Sequence, residues 1–472
     1  MRSENVTSVT ISGDADSSGV QLSPGDVVEL VAGDAAHGGW CVGRLDGSGP
    51  VVFVRHTLPG ERVRATITEV TRRFARADAT EILAPSADRV EPPCPYARPG
   101  GCGGCDWQHA SLPAQRELKA SVVRQQLRRI AGIDQPVTVE ALPGDEPSTG
   151  AAAGEGPGED AGTPGLGWRT RVRFAVRGDG VAGLRAHRSH EVISIADCLI
   201  AHPGIRDLGV PEQPWPRATS VEAVVATDNG ERAEIVSGQV LTAALKGATA
   251  ESVLAVGRRP ALVRGHSHLR QRAAGRSWRV SATGFWQVHP AAADTLAGAV
   301  LDALRPRPGD TALDLYCGAG LFTGVLAEAV GPDGTVVGVE SSSAAVHDAR
   351  RNLRETPWAS VYQGDAGQVI ARRGLPPARL AVLDPPRAGA ARDVVEYLAR
   401  PAHAPARVLA PGGGDGAAGE RRIAYVSCDP ATLARDIAIF AASGWRLENL
   451  RAFDAFPMTH HVECLATLVS SS

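Results

Sequence analysis

Long apolar runs are missing from this chain. No stretch nears the roughly 20 residues that a membrane-spanning helix needs, so an integral membrane protein is set aside and a cytoplasmic one is expected. Residues 1–20 are polar and acidic without an apolar core, so no secretory signal is read there, and the 8 cysteines are not expected to pair as disulfides. Aromatic residues make up only 4%. An excess of positive charge is absent too: 49 Lys and Arg stand against 52 Asp and Glu, a net charge of −3. The overall balance therefore does not announce a polyanionic partner, and any such partner must be met by local basic stretches. The 472 residues are enough for about three domains. The segments 1–20, 142–167 and 411–419, rich in small, polar or acidic residues, are expected to be disordered: a tail, a surface insertion and a looser piece.

What is present is concentrated in the C-terminal half. Thr311-Ala312-Leu313-Asp314-Leu315 is a short apolar run of the kind that forms a buried parallel strand, and Gly318 and Gly320 open from it into a helical stretch. Strand, glycine turn and helix make the first half of a doubly wound βα unit, in which the missing Cβ atoms let a ligand approach the backbone. A second strand ends at Glu340, a third at Asp365 and a fourth at Asp384, so acids recur on the rim where such folds bind ligands. The glycines do not fit the dinucleotide pattern G-x-G-x-x-G, and an acid precedes Gly318 by four positions, which favours S-adenosylmethionine over a dinucleotide. The bland alternative is a turn that only changes direction.

Ile423–Ser427 is a further buried strand, and it puts Cys428 on the same rim. A thiolate suits addition to an electron-poor ring carbon. Uracil C5 takes a methyl group only after a nucleophile adds at C6, and the C5 proton must then be removed by a base, for which Glu463 is a candidate. Taken alone, Cys428 would read as a buried structural thiol and Glu463 as a surface carboxylate.

Four more cysteines form a set. Cys94, Cys102 and Cys105 lie in a Gly-rich segment and Cys198 lies farther on; four thiolates suit tetrahedral zinc or an iron–sulfur cluster, and spacing alone leaves both open. Five short strands between Leu22 and Leu83 (Val27–Leu30, Trp40–Leu45, Val51–Arg55, Arg62–Ile67 and Ala75–Ile82) read as an OB-type barrel, with arginines outnumbering acids between Arg62 and Arg76. Along Trp168–Arg177, residues Arg169, Arg171, Arg173 and Arg177 alternate with apolar ones. A period of two puts four guanidinium groups on one face with no acid on that face to relieve them, so RNA is the expected partner. A helix over about 113–130, capped by Ser111, is expected to pack one side and present a basic side carrying Arg116, Lys119, Arg124, Arg128 and Arg129.

Several of these segments together resemble the RNA uracil-C5 methyltransferases that make 5-methyluridine in ribosomal or transfer RNA. The matching pieces are Phe285-Trp286-Gln287-Val288-His289, Asp314 to Phe322, Asp384-Pro385-Pro386-Arg387-Ala388-Gly389, Ser427 to Leu433 and His461-Val462-Glu463. The resemblance implies Cys428 as nucleophile and Glu463 as base. It implies S-adenosylmethionine bound by Gln287, Tyr316, Gly318, Gly320, Glu340 and Asp384, with Asp365 at the adenine. It also implies a [4Fe–4S] cluster on Cys94, Cys102, Cys105 and Cys198, and an RNA-binding TRAM barrel at the N-terminus. His289 and Asp429 stand where that family commonly has asparagine. Arg387 in place of an aromatic residue sets aside amino-methylating enzymes, and Ser427 before the cysteine sets aside DNA cytosine-C5 enzymes. The expected architecture is α/β: a tail over 1–20, a TRAM or OB-like barrel over 21–85, a central α+β domain over 90–284 and a Rossmann-like methyltransferase domain over 285–472. The resemblance favours 23S ribosomal RNA as substrate; a transfer RNA enzyme and a non-catalytic RNA-binding scaffold are the alternatives.

Overall fold

The computed structural model describes residues 22–45, 49–145, 163–238, 255–256, 259–400 and 420–470. The expected tail 1–20, the stretch 146–162 of the expected insertion and the piece 411–419 lie outside the described residues. The chain divides into two compact units, one of residues 1–122, 184–193 and 457–460, the other of residues 123–183, 194–456 and 461–472.

The first unit opens with a six-stranded sheet of β1 (Val27–Val31), β2 (Ala35–Ala36), β3 (Trp40–Arg44), β4 (Val51–Arg55), β5 (Arg62–Val70) and β6 (Phe74–Ala84), in the order β1-β5-β6-β4-β3-β2. Alternation makes these strands: Val63, Ala65 and Ile67 of β5, with Ala75, Ala77 and Ala79 of β6, point into a core shared with Val52 and Val54. Register shifts between β5 and β6 bend the sheet. The chain after β1 then folds back on β3, where Gly33 donates to the Val42 carbonyl at 2.7 Å; a Cβ on Gly33 would lie 2.7 Å from that same oxygen. The result is the curled, barrel-like sheet expected from the sequence, with the short strand β2 added.

Its basic face is smaller than the arginine count suggested. Arg64 pairs with Glu29 and Glu81, while Arg76 pairs with Glu69 and lies over the rings of Trp40 and Phe74. Arg62, Arg72 and Arg73 are exposed, with no ion-pair partner among the described residues.

Helix α1 (Leu112–Gln126) begins with Ser111 accepting from the Ala114 amide and runs into a π-helical turn, Leu127–Ala131. One expectation fails here. Lys119 is fully buried, because it shares the i, i+3, i+4, i+7 stripe of Gln115, Leu118 and Val122 and not the polar side.

Next along the chain, β7 (Val139–Glu140) is followed by β8 (Arg171–Val176), β9 (Ala182–Arg185), the short β10 (Val192–Ser194), helix α2 (Pro203–Arg206), β11 (Ala218–Val225), β12 (Arg232–Gly238), β13 (Ala255–Val256) and β14 (Arg259–Gly265); residues 184–193 belong to the first unit and the rest to the second. Strands β8, β11, β12, β14 and β13 lie side by side in that order, all antiparallel. The expectation of four unrelieved arginines fails for Arg171 and Arg177. Arg171 pairs with Glu222 of β11 at 2.9 Å and donates to the carbonyls of Ala282 and Gly284; Arg177 pairs with Asp179 at 2.5 Å; Arg173 donates to Ser220 Oγ. The relieving acids come from the neighbouring strand and the following turn, which alternation along one strand cannot show.

A hairpin of β15 (His268–Ala273) and β16 (Arg276–Ser281) leads into the doubly wound part. That part comprises α3 (Ala292–Leu304), β17 (Thr311–Leu315), α4 (Leu321–Val330), β18 (Thr335–Glu340), α5 (Ser343–Asn352), β19 (Ala359–Gln363), α6 (Ala366–Arg373), β20 (Leu380–Leu383), α7 (Arg392–Ala399), β21 (Arg422–Ser427), α8 (Pro430–Ala442), β22 (Trp445–Phe453) and β23 (Glu463–Ser470). Its eight-stranded sheet runs β19-β18-β17-β20-β21-β23-β22-β7, parallel from β19 to β21 and antiparallel through β23 and β22. Strands β20 and β21 are buried along their whole length, as strands covered by helices on both faces must be. This is the Rossmann-like arrangement expected for the C-terminal half. Among the described residues no helix is long and apolar enough to cross a membrane.

Candidate active site

Three loops at the C-terminal ends of the parallel strands build the site. The first follows β17. Asp314 is fully buried and accepts from Thr323 Oγ1 at 2.6 Å; burial pushes its carboxyl up to about 7, and the charge of Glu340 adds to the shift. The chain then turns sharply. Tyr316 sits at φ 72°, Gly318 at 54° and Gly320 at 93°, and the amides of Tyr316 and Cys317 both donate to the Val339 carbonyl. A non-glycine residue in this region is strained by about 1 to 3 kcal/mol and has to be held by its surroundings. The Gly318 amide donates to Glu340 Oε2 at 3.1 Å, and Glu340 Oε1 accepts from the Ser342 amide at 2.7 Å, so this loop and the end of β18 fix one another. Nothing lies within 4 Å of where a Gly318 Cβ would stand, which leaves the loop backbone open to a ligand. Asp365, at the end of β19, is exposed and caps α6 by accepting from the Gln368 amide.

The second loop is Asp384-Pro385-Pro386-Arg387-Ala388-Gly389. Asp384 is half-buried, and burial first, the Asp314 charge second, push its carboxyl up to about 7. The far end of the loop is pinned by Asp436 of α8, which is buried and accepts from the Tyr425 hydroxyl at 2.5 Å and from the Ala390 amide at 3.1 Å. Gly389 is required there: it has φ 81°, and a Cβ would lie 2.4 Å from Arg435 and 2.9 Å from Asp436.

The third loop carries the cysteine. Ser427 of β21 pairs with Cys464 of β23. One further step along that antiparallel register sets Cys428 opposite Glu463. Asp429 caps α8 with its carboxylate, accepting from the amides of Ala431 and Thr432. Burial pushes the Cys428 thiol up to about 11, with the charges of Glu463 and Asp384 acting in the same direction, while Arg387, which hydrogen-bonds the thiol, pulls it back. Glu463 is buried, and burial together with the Asp384 charge raises its carboxyl well above the usual range. Thiol, two carboxyls and one guanidinium thus act on one another at one place.

Asp314, Tyr316, Gly318, Gly320, Glu340, Asp365, Asp384 and Cys428 all fall at strand ends of one rim, with Glu463 opposite. Gln287 is different: it is buried in the loop between β16 and α3. That loop is held by Thr170, whose amide and hydroxyl both meet the Val288 carbonyl at 2.9 Å. It is also held by His289, which stacks on Trp168, accepts from the Ala291 amide and has Nε2 3.1 Å from Asp145. The two departures from asparagine, His289 and Asp429, therefore hold backbone.

Cys94, Cys102 and Cys105 are half-buried in the first unit, and Cys198 is half-buried in the second. The 94–105 loop is tightly wound, with the Gly104 amide donating to Cys102 Sγ at 3.3 Å, yet among the described residues no three Cys, His, Asp or Glu side chains are grouped as a metal ion requires. Sequence reasoning missed Arg387, Tyr425 and Asp436 as parts of the site. A tyrosine inside an otherwise aliphatic buried strand, facing an acid one helix later, was the available signal.

Known proteins share this fold. Residues 22–80 match the TRAM domain, residues 417–470 match tRNA (Uracil-5-)-methyltransferase, and residues 281–371 match Protein-L-isoaspartate(D-aspartate) O-methyltransferase. An RNA methyltransferase of Streptomyces coelicolor, itself uncharacterized, is 47% identical, with 94% of this chain and 93% of the relative covered. The 23S rRNA (uracil(1939)-C(5))-methyltransferase RlmD of Shewanella baltica is 29% identical, with 95% of each covered. Among solved structures, the tRNA (uracil-54, C5)-methyltransferase of Pyrococcus abyssi, in complex with S-adenosyl-L-homocysteine, superposes with a TM-score of 0.63 at 21% identity, covering 93% of this chain and all of that one. The fold and rim define a Rossmann-like methyltransferase with a TRAM barrel. The chain belongs to the RNA methyltransferases of the uracil-C5 type.

Proposed function

We propose that this enzyme methylates C5 of a uridine in RNA, using S-adenosylmethionine and a covalent Cys428 adduct. The observation that carries the proposal is the register that sets Cys428 against Glu463, with Asp384 and Arg387 beside them. The Gly318–Gly320 backbone, Tyr316 and Glu340 would hold the cofactor, with Gln287, Asp384 and Asp365 completing the site, and bound S-adenosylmethionine supplies the methyl group. Arg387 favours the Cys428 thiolate, which adds to C6 of a uracil withdrawn from its stack. Once C5 carries the methyl group, Glu463 takes the C5 proton and the C5–C6 double bond re-forms as the thiolate leaves. A carboxylate whose proton affinity is raised by burial is a stronger base for that step.

The substrate we favour is 23S ribosomal RNA, supported by the RlmD relative; the Pyrococcus neighbour supports transfer RNA as the second reading. A cytoplasmic setting and the domain boundaries near residues 85 and 285 belong to the same proposal. So does a thiolate-held [4Fe–4S] cluster. It rests on the four cysteines and on the family resemblance, since spacing alone leaves zinc equally open, and no step is routed through it. Iron and sulfide near four each per chain after anaerobic purification support it, and one zinc per chain or no metal overturns it.

The test of function is nucleoside mass spectrometry after the protein and S-adenosylmethionine are incubated with unmodified ribosomal and transfer RNA. New 5-methyluridine in one of them, mapped to one position, is the expected result. None in either, with cofactor binding intact, favours the non-catalytic scaffold.

A further inference from the structure

Away from the rim, hairpin β15–β16 and the C-terminal end of α5 enclose an open groove of about 460 Å³. Five arginines line it, Arg270, Arg276, Arg279, Arg351 and Arg354, against one acid, Glu355. Their charges are unequally spoken for. Arg276 is anchored on Glu328 at 2.9 Å, on the Asn352 carbonyl and over the Trp278 ring; Arg270 lies 3.4 Å from Glu231, and Arg354 is 3.0 Å from Glu355. Arg279 and Arg351 have no ion-pair partner among the described residues. Like charges gathered on one surface repel, and an anion relieves them.

Hydrogen bonds brace the groove. Asn352 is hydrogen-bonded to Arg279 in both directions at 3.0 Å, and its side-chain amide also donates to the Ala319 carbonyl in the glycine loop. The Ser281 amide donates to Asp348 of α5 at 2.7 Å. Among the described residues no aromatic side chain lines the groove, so they offer no platform for a base. Guanidinium groups without a stacking surface suit phosphate oxygens, the part of a nucleic acid that positions without specifying sequence.

We propose that this groove is a second RNA contact, which holds a stretch of the substrate's phosphate backbone while the target uridine is at the rim. The proposal rests on the reading of RNA as substrate. The Asn352 link to Ala319 joins the groove to the glycine loop by one side chain.

The test uses the full chain carrying Arg279→Gln and Arg351→Gln together, two residues outside the proposed catalytic and cofactor sites. Its affinity for a single-stranded oligouridylate and for a 23S ribosomal RNA transcript is measured across a salt series. A several-fold loss of affinity is expected, with the slope of log K against log salt shallower by about 1.4, the value for two single-strand phosphates. The paired Arg279→Lys and Arg351→Lys variant should restore most of both, which separates charge from folding, and S-adenosylmethionine binding should not change. Unaltered RNA affinity and slope in the glutamine variant overturn the proposal, as does a loss confined to inorganic phosphate or polyglutamate. Binding is read without turnover. Wild-type protein that forms no 5-methyluridine would therefore sink the proposed function alone, and intact methylation with unaltered binding would sink the groove alone.

Discussion

Cys428 begins as a reluctant nucleophile. With its thiol pushed up to about 11, on the order of one molecule in ten thousand carries the thiolate at pH 7. The alkylation rate of Cys428, followed peptide by peptide with iodoacetamide, should therefore climb about tenfold per pH unit from 7 to 10. Arg387→Gln removes the cation that favours the thiolate and should slow labelling at every pH in that range. A plateau below pH 9 would show that the resting thiol is already activated. Exchanging the two chief side chains separates the two halves of the chemistry. Cys428→Ala should abolish both turnover and the RNA adduct, whereas Glu463→Gln should let the adduct accumulate as an RNA-linked species on a denaturing gel. Release of product by the glutamine variant at the wild-type rate would remove Glu463 from the base role. Asp314 makes a prediction about stability. Its carboxyl is raised from the ordinary range near 4 to about 7, so the folded state binds its proton more tightly than the unfolded one, and its contribution falls as pH rises between those values. Asp314→Asn keeps an oxygen for Thr323 and cannot ionise. Measured by denaturant unfolding, its stability relative to wild type should improve steadily from pH 4 to pH 7 and then stay level.

Elements hold these side chains through a few buried polar links. The Tyr425 hydroxyl and Asp436 together carry the Ala390 amide, so strand β21 and helix α8 fix the loop that ends β20. Tyr425→Phe removes a hydrogen bond to a buried carboxylate, worth about 1.5 to 3 kcal/mol, and loosens the loop bearing Asp384 and Arg387. The kcat should fall while RNA affinity is kept; equal loss of both would mean global damage. Asp429→Asn should leave turnover near wild type, because asparagine caps a helix as well as aspartate does, whereas Asp429→Ala should cost about 1 kcal/mol. Much of this level was legible in the sequence. Thr311–Leu315, Leu380–Leu383 and Ile423–Ser427 read as buried strands because parallel strands bear helices on both faces, and the acid or cysteine after each one marks the rim. What escaped depended on partners far away in the chain. Lys119 shows its buried side only once the helix phase is fixed by its neighbours, Arg171 finds Glu222 across a strand pairing, and Arg387 meets the thiol only when two loops converge.

At the scale of the whole molecule, the near-neutral balance of charge and the demand for an RNA partner are reconciled by which arginines are already occupied. Arg64, Arg76, Arg171 and Arg177 are paired with acids of their own sheets or turns, so their charge serves the fold. Arg62, Arg72 and Arg73 on the barrel are exposed and have no such acid among the described residues. Pairing thus divides the basic residues into two groups with opposite mutational signatures. Changing Arg62, Arg72 and Arg73 to glutamine should raise the KM for RNA several-fold and make binding less sensitive to salt, with the melting temperature and kcat unchanged, since each lost phosphate contact removes a released counterion. Arg76→Gln should do the reverse. It strips a cation from Glu69 and from the faces of Trp40 and Phe74, so it should lower the melting temperature and leave the salt slope of RNA binding close to wild type. If the barrel triple variant instead melts early and binds RNA normally, those three arginines serve the fold, and the RNA contact of the barrel has to be sought on another face.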